Sequence, residues 1–91
     1  MTTFTKDPQA QLDFSVDWSD WLTDPETISS SSWTIPTGLT LVAQSNTTTT
    51  ATVFLSGGTV GRSYVVSNQI TTNNATPRID ERSFTITVQE R

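Results

Sequence analysis

Apolar residues recur at every second position in run after run of this chain, and no segment sustains an i, i+3, i+4, i+7 pattern. Side chains alternate between faces along a strand, whereas a helix repeats them every 3.6 residues, so the pattern demands sheet. Leu12, Phe14, Val16 and Trp18 alternate with Asp13, Ser15 and Asp17. Ala51, Val53 and Leu55 alternate with Thr50, Thr52 and Ser56, with Phe54 out of place. Tyr64, Val66, Asn68 and Ile70 share one face of a third run, and Phe84, Ile86 and Val88 one face of a fourth. Trp33 and Ile35 close a Ser-rich run that begins at Ile28, and Leu39 and Leu41 lie together in "GLTLVAQ". These runs predict strand centres near residues 4, 15, 31, 41, 53, 66 and 86.

The intervening segments are chemically suited to turns. Pro25 follows Asp24, and "IPTG" offers Pro36 for the second turn position with Gly38 after the bend. "SGGTVG" supplies three glycines where a positive φ is needed, "TTNNATP" is a polar tip, and Thr47–Thr50 reads as a loop entering a strand. No crossover helix is available to join parallel neighbours. The expectation is an all-β two-sheet sandwich of six to seven antiparallel strands, one domain spanning residues 1–91.

Composition narrows the function. The hydrophobic fraction is 33% and the charged fraction 15%, so Ser and Thr, about a third of the chain, supply most of the surface. Such a domain has a thin core and leans on partners. Its five basic residues are scattered against a net charge of −4, leaving no stripe for nucleic acid. Without histidine there is no imidazole base and no His-ligated metal; without cysteine there is no disulfide and no thiolate. An enzyme is therefore not expected. The opening "MTTFTKDPQA" has no apolar signal core, and no run approaches the roughly 18 apolar residues of a membrane span, so synthesis in the cytoplasm and no membrane partner are expected.

The densest chemistry lies in "DFSVDWSDWLTD". Alternation sends Phe14, Val16 and Trp18 inward and Asp13 and Asp17 outward. The three-residue spacing in "WSDWL" then suits one helical or 3₁₀ turn, capped by Asp17 or Ser19, with Trp21 or Leu22 folded over the end of the sandwich. Asp17, Asp20 and Asp24 could be read as a calcium site, but they lack the D-x-D-x-D-G order of a calcium loop, and no metal or cofactor is assigned. A catalytic carboxylate pair would need a cleft that nothing in the chain suggests. Trp18, Trp21 and Trp33 could instead be stacking platforms of a carbohydrate-binding module. For protein docking the candidate residues are Phe54 and Val65, apolar where alternation demands an outward side chain, Trp21 at the end of the sandwich, and Arg82. Arg82 is expected just before the last strand, within reach of Asp17 or Asp20.

Two resemblances add to this reading. Tyr64, three residues after Gly61 in "GRSYVVSNQI", resembles the tyrosine corner of immunoglobulin-like domains, and Trp33 resembles their core Trp; the resemblance implies an immunoglobulin-like sandwich in which both are largely buried. The ordered set "KDPQAQLDFSVDWSDWL", "TISSSSWTIPTGL", "ATVFLSGGTVGRSYVVSNQITT" and "RIDERSFTITVQER" resembles a family of small tailed-bacteriophage virion structural proteins labelled fibre–tail adaptors. Phe54 departs from that pattern, where Trp is frequent, as does the absence of a Gly before "DERS". The resemblance implies a non-enzymatic virion protein, present in multiple copies, whose partners are other tail, neck or fibre proteins. A capsid decoration role is the alternative within the same class.

Overall fold

A computed structural model describes residues 2–23 and 25–90. All regular structure among them is strand: β1 (Thr2–Lys6), β2 (Leu12–Asp17), β3 (Ile28–Thr34), β4 (Leu39–Asn46), β5 (Thr50–Gly57), β6 (Ser63–Thr72) and β7 (Ile79–Val88). Each expected strand centre falls inside one of them. The strands form a four-stranded sheet in the order β1-β7-β6-β3 and a three-stranded sheet in the order β2-β5-β4. This is the immunoglobulin division, with β2, β5 and β4 as strands B, E and D and β3, β6 and β7 as strands C, F and G.

The expectation of purely antiparallel pairing fails at β1. It runs parallel to β7, pairing Thr2 with Phe84 through Lys6 with Val88. Parallel neighbours need a long connection, and here every other strand lies between the two, so no crossover helix is required. The chain crosses to the other sheet between β1 and β2, leaving β2 at a sheet edge.

The core lies between the sheets. Phe14, Val53 and Leu55 from one meet Tyr64, Val66, Phe84, Ile86 and Val88 from the other. Phe4, Phe14 and Phe84 close one side as a ring cluster with centroids 5.3–5.8 Å apart. A smaller cluster of Trp18, Ile28 and Ile70 fills the end where β2 gives way to β3. Many outward positions are hydroxylic and pair across strands, as in Ser15–Thr52 at 2.9 Å and Ser67–Ser83 at 2.8 Å. This explains how a chain with so little charge stays polar outside.

Tyr64 makes the expected corner: its hydroxyl accepts the Thr59 N–H at 2.9 Å. Its ring lies so close to Gly38 that an added Cβ would come within 2.7 Å of Cε1, and Gly38 takes φ +111°. The bend itself differs from expectation. Leu39 N–H donates to Pro36 O at 3.3 Å, so Pro36 opens the turn and Gly38 holds its third position, where a positive φ belongs. Thr47 N–H donates to Thr50 O at 2.8 Å and closes the expected loop into β5. Trp33 is largely, though not fully, buried on the edge strand β3; its ring meets Phe84 edge-on at 6.0 Å.

Lys6 is fully buried at the β1–β2 crossing. Its ammonium donates to Gly57 O at 2.7 Å and Asp7 O at 2.9 Å, tying β1 to the end of β5. Burial lowers its pKa, with the Asp7 carboxylate acting in the opposite direction.

Candidate interaction surfaces

The four candidate docking residues occupy three places. Phe54 projects from β5, the central strand of the three-stranded sheet, and is 38% exposed, while Leu55 beside it has no exposed surface. Val65 projects from β6 on the outer face of the other sheet and is 52% exposed. Trp21 and Arg82 lie at the β2–β3 end of the molecule. The structure therefore places these residues on two faces and one end.

Phe54 has company that alternation did not reveal. The β4–β5 register slips between Leu41 and Ala43, so Val42 is a bulged residue. A bulge sets two residues opposite one and re-aims their side chains. Val42 and Ala43 are consequently both exposed, and Ala43 pairs directly with Phe54. The outer face of the three-stranded sheet thus carries Val42, Ala43 and Phe54 together, bordered by Asp13, the other cross-strand neighbour of Phe54.

The β2–β3 end is built from stacked Trp and Arg side chains. Trp21 N–H and Leu22 N–H both donate to Trp18 O, at 2.9 and 3.0 Å, giving the single helical turn expected after Trp18. Asp17 Oδ1 caps it by accepting Ser19 N–H at 2.9 Å, and that bond is the main cause of the lowered Asp17 pKa. Trp18 and Trp21 meet edge to face at 5.4 Å. Arg82 lies over the Trp18 ring at 4.4 Å and Arg78 over the Trp21 ring at 4.1 Å, so the order is Arg82, Trp18, Trp21, Arg78. Each cation rests on the negative face of an indole.

Arg82 lies within β7, not ahead of it, because the strand begins three residues earlier, at Ile79. Its firm partner is the main chain: Nη1 donates to Asp17 O at 3.0 Å, and Nη2 reaches the Asp20 carboxylate at 3.5 Å. An exposed pair of that length adds little in water. Asp24, the third member of the calcium reading, lies outside the described residues.

A charged network that alternation did not signal holds the loops together. Glu26, 7% exposed, accepts Arg78 Nε at 2.9 Å, Arg78 Nη2, Asn74 Nδ2 at 2.6 Å and Thr23 N–H at 3.0 Å. The Arg78 hydrogen bonds, against the opposing effect of burial, bring its pKa down to about 2. Beside it, Thr27 and Asn73 exchange bonds at 2.9 and 3.1 Å, so the β2–β3 loop is clamped to the β6–β7 loop. Deeper in, Asn68 is fully buried at an inward position of β6, accepting Trp18 Nε1 at 3.0 Å and donating to Ser31 Oγ and Ser32 O. The sequence signal for it was an Asn on an otherwise apolar face.

These contacts bear on sugar stacking. Trp18 has no exposed surface, Trp21 is half-buried with Arg78 on its face, and Trp33 packs against Phe84. Trp18 therefore offers no ring for stacking, and one face of Trp21 is already taken by Arg78.

The fold and its surface define an immunoglobulin-like module with apolar groups displayed on its sheet faces and a rigid Arg–Trp end. A model of the family described as "Podophage GP4 fiber-tail adaptor protein gp77" matches residues 6–87. The chain belongs to this phage fibre–tail adaptor family. A comparison with curated proteins found no match.

Proposed function

We propose that the chain is a non-enzymatic component of the phage particle that joins tail or neck proteins to fibre proteins. In this role the outer face of the three-stranded sheet, centred on Phe54, is buried against a partner. The observation that carries this reading is the exposed Phe54 beside the bulge that also displays Val42 and Ala43. Aromatic anchors concentrate binding energy when they are desolvated at the centre of an interface. Val65 marks a second, weaker contact on the opposite face, which suits a protein set between two partners. Trp21 and Arg82 add a preorganised end rather than an anchor, since both already have intramolecular partners.

Phe54→Ser tests this. The isolated variant stays folded, while its incorporation into particles falls, because truncating an aromatic anchor can cost about 2 kcal/mol or more of binding. Particles that take up Phe54→Ser as readily as the parent chain reject Phe54 as an anchor. A density map of the intact particle then gives the position and copy number, and a location on the capsid shell would favour a decoration role instead.

A further inference from the structure

One side of the sandwich is open where an immunoglobulin domain would carry strand A. Among the described residues β1 pairs with β7 alone, and β2 has no neighbour on the side away from β5. β1 also reaches only as far as Phe84, so among the described residues the Ile79–Ser83 half of β7 has no strand beside it on that side. Between these two bare edges lies a cleft of about 220 Å³ lined by Phe4, Val16, Phe84, Ser15, Ser83 and the Asp17–Arg82 bridge. Phe84 is buried and Phe4 and Val16 half-buried, which gives the cleft an apolar floor. An apolar cavity of about 150 Å³ already holds a benzene ring, so this one has room for a large side chain.

The backbone is arranged to receive a strand. Trp18 N–H donates to Thr49 O, so the even residues of β2 form its ladder with β5. In an antiparallel pair the alternate residues then turn their N–H and C=O away. Asp13, Ser15 and Asp17 therefore present these groups to the open side, and Arg82 Nη1 bonds to the Asp17 carbonyl there. The charges around the opening select what can enter. β2 contributes Asp13 and Asp17, the bare half of β7 contributes Asp80 and Glu81, and Arg82 is the one cation on these two stretches.

We propose that this cleft takes up an extended segment of a partner protein, added as a strand along β2, with an apolar side chain on the Phe4–Val16–Phe84 floor and Lys or Arg at the flanking positions. Main-chain bonds would supply affinity and the alternate side chains specificity. A second copy of the acidic edge is disfavoured by like charge, so the same carboxylates that admit a basic strand keep free copies from pairing edge to edge. The inference rests on the adaptor reading, but it concerns a different surface from Phe54.

Amide exchange resolved to single residues tests it on the full chain, free and in purified particles. In the free chain Asp13 and Ser15 exchange fast while Phe14 and Val16, bonded to β5, exchange slowly. In the particle Asp13 and Ser15 become protected by tenfold or more. If the chain is present in particles but these amides exchange as in the free chain, the cleft proposal fails and the adaptor reading stands. If the chain is absent from particles, both fail. Protection that appears in the free chain simply on raising its concentration assigns the cleft to a second copy and overturns the basic segment. Two variants give an independent check. Ser15→Pro deletes an outward N–H without touching the β2–β5 ladder, as proline is tolerated on an edge strand. It is expected to keep the circular dichroism of the parent and to lower incorporation at least tenfold. Glu81→Lys, at an exposed position, is expected to lower incorporation several-fold. Parental incorporation of Ser15→Pro overturns the added strand, and parental incorporation of Glu81→Lys overturns its basic character. If Ser15→Pro does not fold, the exchange measurement decides.

Discussion

Truncating Leu55 to alanine removes three carbons from a side chain with no exposed surface, set in the middle strand of its sheet between Leu12 and Leu41. At about 0.8 kcal/mol per buried carbon the transfer loss is roughly 2.4 kcal/mol. The void left in a rigid core raises it to about 3–4 kcal/mol, inside the range of about 2–5 found for such changes. A domain of this length has about 5–14 kcal/mol in all, so the variant loses about a fifth or more of its stability. Its melting temperature should fall by more than about 12 °C, at about 4–8 °C per kcal/mol. Phe54→Ala, one residue away but on the outer face, should cost only about 0.5–1 kcal/mol. Urea denaturation followed by both far-ultraviolet circular dichroism and tryptophan emission measures the two. Trp18, fully buried in the smaller core cluster, reports tertiary loss, so the two signals should coincide if the chain unfolds as one unit. A larger loss for Phe54→Ala than for Leu55→Ala would mean that β5 presents its faces the other way round, and both the core and the docking face would have to be redrawn.

Asn68→Ala orphans the buried Trp18 indole N–H and should cost about 1–3 kcal/mol, read as a lower urea midpoint at unchanged slope. Glu26 has a folded pKa of about 2 against 4.5 for the free side chain. Its contribution is therefore complete above about pH 4.5 and disappears as the pH falls toward 2. Melting curves across that window should show this loss, and Glu26→Gln should flatten it; an equally steep fall in the variant would assign the acid sensitivity elsewhere. Gly61→Ala meets nothing within 4 Å and strains only a backbone at φ +87°, whereas Gly38→Ala also drives a Cβ into the Tyr64 ring. The first should cost about 1–2 kcal/mol and the second clearly more, and equal melting temperatures would show that the corner is not packed as described.

How much of this was legible in the sequence can be told from particular residues. The period of two placed the strands and, in β2, β5, β6 and β7, fixed which side faces inward, because a strand has only two faces and burial must choose one. It put Leu55 inside and Phe54 outside, and it put Asn68 on the buried face without saying why. Tyr64 was legible as a corner because its hydroxyl bonds only five residues upstream, to Thr59. Trp18 and Trp21 were legible as a turn because three-residue spacing is itself local geometry.

Strand partners, and the contacts that depend on them, came only from the tertiary structure. Alternation is the same for a strand paired on either side, so nothing in "TTFTK" shows that β1 leaves β2 and runs parallel to β7. Nor could it show that β3 is an edge, which leaves Trp33 short of full burial. The bulge at Val42 depends on the register of two strands and cannot be read from one. Glu26 and Arg78 are 52 positions apart and meet because two loops converge at one end of the sandwich. Local pattern is written in the spacing of neighbours along the chain, so the sequence determined the strands and, where no bulge interrupts them, their faces. Partners, edges and the open side between β2 and β7 arise from contacts between distant segments, and only the folded chain decided them.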